Sequence, residues 1–141
     1  MCKKKTTIQL KVHYHQADQM GIVHHAQYAY FLEQARIDWL HNQGLCYAAL
    51  EKDGILLPLT DISIQYKRPL RFEDVFYVLT KMEVFERNFI TFSYRIKNNK
   101  DIDIATASTR LVFVNSASMR AIKCPDSVSY THLTLPTMLW V

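Results

Sequence analysis

A chain of 141 residues is one domain's worth of sequence. Its three glycines, Gly21, Gly44 and Gly54, stand too far apart for a GxGxxG dinucleotide loop or a GxxxxGK phosphate loop. With 49% apolar and 21% charged residues and no long uninterrupted apolar run, the composition fits neither intrinsic disorder nor a membrane span of about 20 apolar residues. Of the formal +4 charge, three positive charges sit in the arm Lys3-Lys4-Lys5. The remaining 14 basic and 13 acidic residues nearly balance and leave no basic stripe for nucleic acid.

Thr6-Thr7-Ile8-Gln9-Leu10-Lys11 after that arm supplies no apolar core for a signal peptide. Cys2, Cys46 and Cys124 are odd in number and lack CxxC spacing, so they read as free thiols in a reducing compartment, and the expected location is the cytoplasm.

Residues 6–16 alternate, with Ile8, Leu10, Val12 and Tyr14 against polar neighbours, and predict a strand. Asp18-Gln19-Met20-Gly21 then turns the chain. From about residue 24 to 42 the apolar spacing is helical, and Gly44 stands where a left-handed residue stops a helix. A short amphipathic piece over 47–52 leads to Gly54. Four strand candidates follow at 55–66, 75–85, 89–96 and 103–114, alternating at Ile62, Ile64 and Tyr66, at Val78, Thr80, Met82 and Val84, and at Ile90, Phe92, Tyr94 and Ile96. Glu86-Arg87-Asn88 and Asn98-Asn99-Lys100 are short polar connections of the hairpin kind. One strand, one long helix and an antiparallel meander predict an α+β fold.

At about 100° per residue, Gln27, Gln34, Asp38 and His41 fall on one narrow polar face of the helix, and nearly everything else on it is apolar. A helix of that kind is covered on most sides, as a strongly curved antiparallel sheet wrapped around it would do. Ala105 and Ala107, on one face of the last strand, permit a close approach. Glu33 and Arg36 lie one turn apart, away from the polar face. They fit either a paired brace inside the fold or a carboxylate and guanidinium in a ligand pocket.

The stretch that carries chemistry is Tyr14-His15-Gln16-Ala17-Asp18-Gln19-Met20-Gly21-Ile22-Val23-His24-His25-Ala26-Gln27-Tyr28, followed by Glu33-Gln34-Ala35-Arg36. An aspartate before a helix is, most simply, an N-cap. The first N–H groups of a helix also lack intrahelical partners and carry the positive end of its dipole. A carbonyl oxygen placed beside the amides near His24 and His25 gains from both, and such donors are typically worth about 10²–10³ in rate. Asp18, just before the same helix start, can attack the carbonyl carbon to give a mixed anhydride or deprotonate a water. The residues leave both routes open. His24 and His25, with His13 and His15 nearby, show no carboxylate–histidine spacing of a zinc site, so no metal is expected.

The same run resembles the small acyl-CoA thioesterases of the hotdog fold, the 4-hydroxybenzoyl-CoA thioesterase family, whose pattern is roughly Y-x-x-T/D-D-x-x-G-x-V-x-H-x-x-Y and then E-x-x-R. The resemblance covers about residues 6–125. It implies a curved sheet around one helix and hydrolysis of acyl-CoA thioesters without a cofactor. It places catalysis on Asp18, His25 and Tyr14, and substrate binding on Gly21, Val23, His24 and Tyr28. Lys67, Arg68 and Arg71, around Pro69, form the densest basic cluster outside the N-terminal arm and fit either a solvated loop or, at Lys67 and Arg68, contact with the coenzyme A phosphates. The resemblance also implies a homodimer or homotetramer with sites between subunits. Ala17 departs from the pattern where threonine or aspartate is common. Two other readings are a hotdog dehydratase, against which the DxxGxVxH run argues, and a non-catalytic acyl-thioester binding protein.

The C-terminal run Val128-Ser129-Tyr130-Thr131-His132-Leu133-Thr134-Leu135-Pro136-Thr137 resembles the translated read-through of a sequencing adapter, and residues 128–141 contain no Asp, Glu, Lys or Arg. The expected organisation is therefore a hotdog domain over 1–126 and an adapter-derived tail over 127–141.

Overall fold

In the computed structural model, which describes residues 5–125, period-two patterning becomes a sheet with one buried face. Every second residue of β4 (Val75–Phe85) is buried from Phe76 to Met82, and the same holds for β5 (Phe89–Asn98) from Ile90 to Ile96. These two strands pair antiparallel across Glu86-Arg87-Asn88. With β1 (Lys5–Lys11), β3 (Leu59–Tyr66) and β6 (Asp103–Val112) they make a five-stranded antiparallel sheet in the order β1-β4-β5-β6-β3. A small second sheet joins β2 (Ile55–Leu56) to β7 (Val114–Asn115).

The long helix α1 (Gln27–Asn42) lies on the apolar face of the sheet, and α2 (Tyr47–Lys52) follows it. Phe31, Leu32, Ala35 and Trp39 of α1 are buried with Phe76, Phe92 and Ile96 of the sheet. Trp39 meets the Phe92 ring edge-on at 5.0 Å, and Phe31 meets Phe76 at 4.8 Å. Each fully buried Phe or Leu contributes about 1.5–3 kcal/mol of transfer free energy, so this seam dominates the stability. Ala105 is fully buried on β6, as its expected closeness to the helix requires. The α+β architecture, a curved sheet around one helix, is the one expected. No helix among the described residues is long and apolar enough to cross a membrane.

Four boundaries differ from expectation. The strand expected over 103–114 ends at Val112, and Val114–Asn115 leaves the large sheet to pair with Ile55–Leu56. The other three have local reasons. The strand expected over 6–16 ends at Lys11, and Tyr14–Gln16 forms a 3-10 turn instead. The buried Gln16 side chain accepts the His13 N–H at 2.8 Å, a local bond that outcompetes the ladder. His13 and His15 stack across this turn, with ring centroids 5.9 Å apart. The long helix begins at Gln27, since His24 and His25 lie in the turn before it, accepting from the Gln27 and Tyr28 amides. The strand expected over 55–66 breaks at Pro58, which has no N–H for a ladder but whose carbonyl accepts from Val112 at 3.1 Å.

α1 is also less covered than its composition suggests. Tyr30 and Ile37 are exposed, and so are Leu59, Ile62 and Tyr66 on the edge strand β3. Lys3, Lys4, Cys2 and the segment 127–141 lie outside the described residues.

Candidate active site

Ala17 and Val23 form an antiparallel bridge, and Asp18 N–H donates to the Ile22 carbonyl at 2.8 Å, so residues 17–23 make a tight hairpin. Gly21 closes its turn by donating to the Asp18 carbonyl at 2.9 Å, with φ of +79°. A side chain at Gly21 would meet open space, so it is the left-handed backbone that calls for glycine. The hairpin is clamped to the loop before β4: Val23 N–H donates to the Leu70 carbonyl at 2.8 Å, and Ile22 bridges Arg71.

This loop orients the Asp18 carboxylate. Its Oδ1 accepts from Met20 N–H at 2.8 Å and from Ile22 N–H at 3.2 Å. Among the described residues nothing donates to Oδ2, and Asp18 is exposed. One oxygen is thereby held and the other presented to solvent.

The amides at the helix start are not equivalent. His24 N–H donates to the Gln16 carbonyl at 3.2 Å. Ala26 N–H donates to His24 Nδ1 at 3.1 Å, so the His24 ring caps the turn while stacking on His25 at 4.1 Å. The His25 carbonyl accepts from Tyr28 N–H and from the Tyr66 hydroxyl, at 3.2 Å each. Among the described residues the His25 N–H alone, of those from Gly21 to Tyr28, has no acceptor. Of the two amides expected as oxyanion donors, that of His24 is already taken by the Gln16 carbonyl.

Apart from His24, which lines neither cavity, the expected site residues fall into two groups. Tyr14, Asp18 and Gly21 line a cavity of about 610 Å³ together with Phe72. Val23, His25, Tyr28, Lys67 and Arg68 line a second, of about 290 Å³, with Tyr66. The chain passes from one to the other at Gly21-Ile22, and within a single chain Asp18 and His25 line separate cavities. Tyr14 is 80% exposed, its ring meeting Phe72 edge-on at 5.6 Å. Val23 is largely buried and packs in the core. Lys67 lies 3.9 Å from Asp103, and Lys67 and Arg68 both donate their amides to the Ile104 carbonyl, which fixes this basic step beside the second cavity. The sequence reading missed Phe72 and the role of Tyr66. The only signal for either was an exposed aromatic flanking the basic cluster around Pro69.

Tyr28 is both lining and core. Burial, and after it the neighbouring Tyr66, pushes its phenol up from the usual 10.0 to about 12. The folded chain therefore holds a proton that the unfolded chain releases above about pH 10. Tyr28's contribution to stability is complete below pH 10 and declines as pH rises from about 10 to 12. Chemical denaturation across pH 8–12 is expected to show this loss in the parent chain and a smaller loss in Tyr28→Phe.

Comparison with known proteins agrees with this architecture. The model of the thioesterase-like superfamily matches residues 12–131, overlapping the first residues of the segment read as a tail. YneP of Bacillus subtilis, which bears an acyl-CoA thioesterase name, is 32% identical over 115 residues, covering 82% of this chain and 83% of its own. The acyl-CoA thioester hydrolase YbgC of Escherichia coli O157:H7 is 25% identical over 119 residues, covering 84% and 89%. The crystal structure of a DHNA-CoA thioesterase from Staphylococcus aureus superposes with a TM-score of 0.83 at 28% identity, covering 96% of this chain and 87% of that one. With a helix-wrapped antiparallel sheet and a match over most of its length, this chain belongs to the thioesterase-like superfamily and has the hotdog fold.

Proposed function

We propose that this protein hydrolyses acyl-CoA thioesters, with Asp18 and the His25 N–H as the reacting groups and the Lys67-Arg68 step binding the coenzyme A phosphates. The free His25 N–H is the observation that carries the reading: it stands before a 16-residue helix and points to a stabilised carbonyl oxygen. The thioester carbonyl accepts from this N–H. Asp18 Oδ2 then attacks the carbonyl carbon, expelling coenzyme A as the thiolate and leaving a mixed anhydride that a water cleaves to the free acid and the restored carboxylate. On the other route Asp18 removes a proton from a water that attacks the same carbon, and coenzyme A again leaves as the thiolate. A single turnover in oxygen-18 water tests the first route: label found in Asp18, from water attack on the aspartyl carbon of the anhydride, identifies it as the nucleophile. Tyr14 and Phe72 form the aromatic wall beside the carboxylate, and Gly21 and Tyr28 shape the two cavities.

Assembly is part of this reading. Leu59, Ile62 and Tyr66 on the unpaired edge of β3, with Tyr30 and Ile37 of α1, leave an exposed apolar strip, and such an edge is stabilised by pairing. A second copy paired along β3 covers the strip and completes the site that one chain leaves divided. Light scattering is expected to show at least a dimer, and Ile62→Lys to shift it towards monomer with loss of turnover. An active parent monomer would refute this arrangement. A thiol at Cys46 accords with a reducing, cytoplasmic location.

Incubation with a panel of acyl-CoAs and a thiol reagent tests the activity. Thiol release that depends on the protein is the expected result. Binding without release would instead identify a non-catalytic acyl-thioester carrier.

A further inference from the structure

Arg36 is the buried charge that the hydrolytic site does not use. It is 5% exposed on α1, and its Nε is buried with no hydrogen-bond partner. Its Nη1 donates to the Tyr94 hydroxyl at 3.3 Å, which in turn bonds Thr109 Oγ1 at 2.6 Å. No described carboxylate lies within 4.0 Å of it, so the brace expected with Glu33 is not an ion pair. Burial raises the Tyr47 and Tyr94 phenols, against the pull of the Arg36 charge, so the guanidinium's close neighbours are neutral oxygens. A guanidinium taken out of water is normally matched by an anion.

The same side chain lines a cavity of about 720 Å³ whose walls include Ala29 and Leu57, together with Ile37 and Leu59 of the strip assigned above to a second copy, so that in the dimer the cavity borders the interface. Glu33 and Glu51 also line it, but both are exposed, and solvent and salt screen them more than the buried guanidinium. Arg36 lies eleven positions after His25 along α1 and its leading turn, about 16 Å at 1.5 Å per residue. This cavity is thus distinct from the place where the His25 N–H holds a carbonyl.

We propose that the Arg36 cavity binds a carboxylate carried on an apolar chain: the guanidinium takes the carboxylate in charge-assisted hydrogen bonds, and the apolar walls take the chain. The carboxylate has two sources in thioester hydrolysis, the released acid or a second carboxylate at the far end of the acyl group.

The test is equilibrium titration of the full chain with decanoate, decanol and decylamine. It needs no turnover, so its failure leaves the Asp18 hydrolysis reading intact. Decanoate is expected to bind about tenfold or more tighter than the alcohol, with the amine weakest. Amide shifts should centre on Ala29, Ile37 and Leu57, and Arg36→Met should reduce decanoate to the affinity of the alcohol. Should Arg36→Met fail to fold, the ranking and the shift map of the parent chain decide the matter. Hydrolysis of decanoyl-CoA and its ω-carboxy analogue separates the sources: a higher kcat/KM for the analogue places the carboxylate on the substrate. Inhibition by decanoate that Arg36→Met relieves places it on the product. Equal affinity for acid and alcohol, shifts centred on Gly21, or unchanged decanoate binding with loss of dimer in Arg36→Met would overturn the proposal. The last result would assign the counter-charge to a second copy.

Discussion

Asp18→Asn is expected to lower turnover by about 10³-fold or more, as loss of an essential catalytic group does, with acyl-CoA binding and melting temperature unchanged. The hairpin makes this substitution unusually clean. Asparagine keeps the oxygen that accepts from Met20 and Ile22, so the loop that Asp18 organises survives while the negative charge is removed. Asp18→Ala is a different experiment, because it deletes both acceptor bonds, at about 1 kcal/mol each, together with the chemistry. Steady-state kinetics and thermal melts of the three proteins therefore divide the residue's two tasks. An Asp18→Asn protein with near-parent turnover would remove Asp18 from the mechanism and leave only its role in the turn.

His25 yields the second large effect, through its backbone. The ring is exposed and stacks on His24, whereas the N–H has no acceptor among the described residues. His25→Ala retains that N–H and should cost about tenfold or less in kcat. His25→Pro deletes it and should cost about 10²–10³ in kcat, in line with loss of an oxyanion donor. Proline also restricts His24 away from helical backbone, so the melting temperature of this variant is measured alongside, with the ratio of its kcat to that of His25→Ala as the readout. A loss in His25→Ala as deep as in His25→Pro would move the function from the amide to the imidazole.

Much of this protein was legible from residues alone. The alternation through Val78–Met82 and Ile90–Ile96 specifies one buried sheet face, because a strand's side chains can point only two ways. The apolar residues of α1 demand a cover on one side, and an antiparallel meander supplies it. The spacing from Tyr14 to Tyr28 marked the family. Pro58 was also visible, yet alternation on both sides hid the break it makes between β2 and β3.

Tertiary structure decided the rest. Which amide stays free depends on Gln16 and on the His24 ring taking the neighbouring donors, and hydrogen-bond competition of that kind is invisible to periodicity. Phe72 and Tyr66 reach the site from beyond α1, brought there by pairing of the 17–23 hairpin with the loop before β4 and by a hydroxyl aimed at the His25 carbonyl. Glu33 and Arg36 looked like an ion pair at one-turn spacing. The sheet instead buries the guanidinium against Tyr94 and leaves the carboxylate exposed. Spacing along a helix sets which residues share a face, but the desolvation imposed by the packed sheet determines which of them keeps its partner in water.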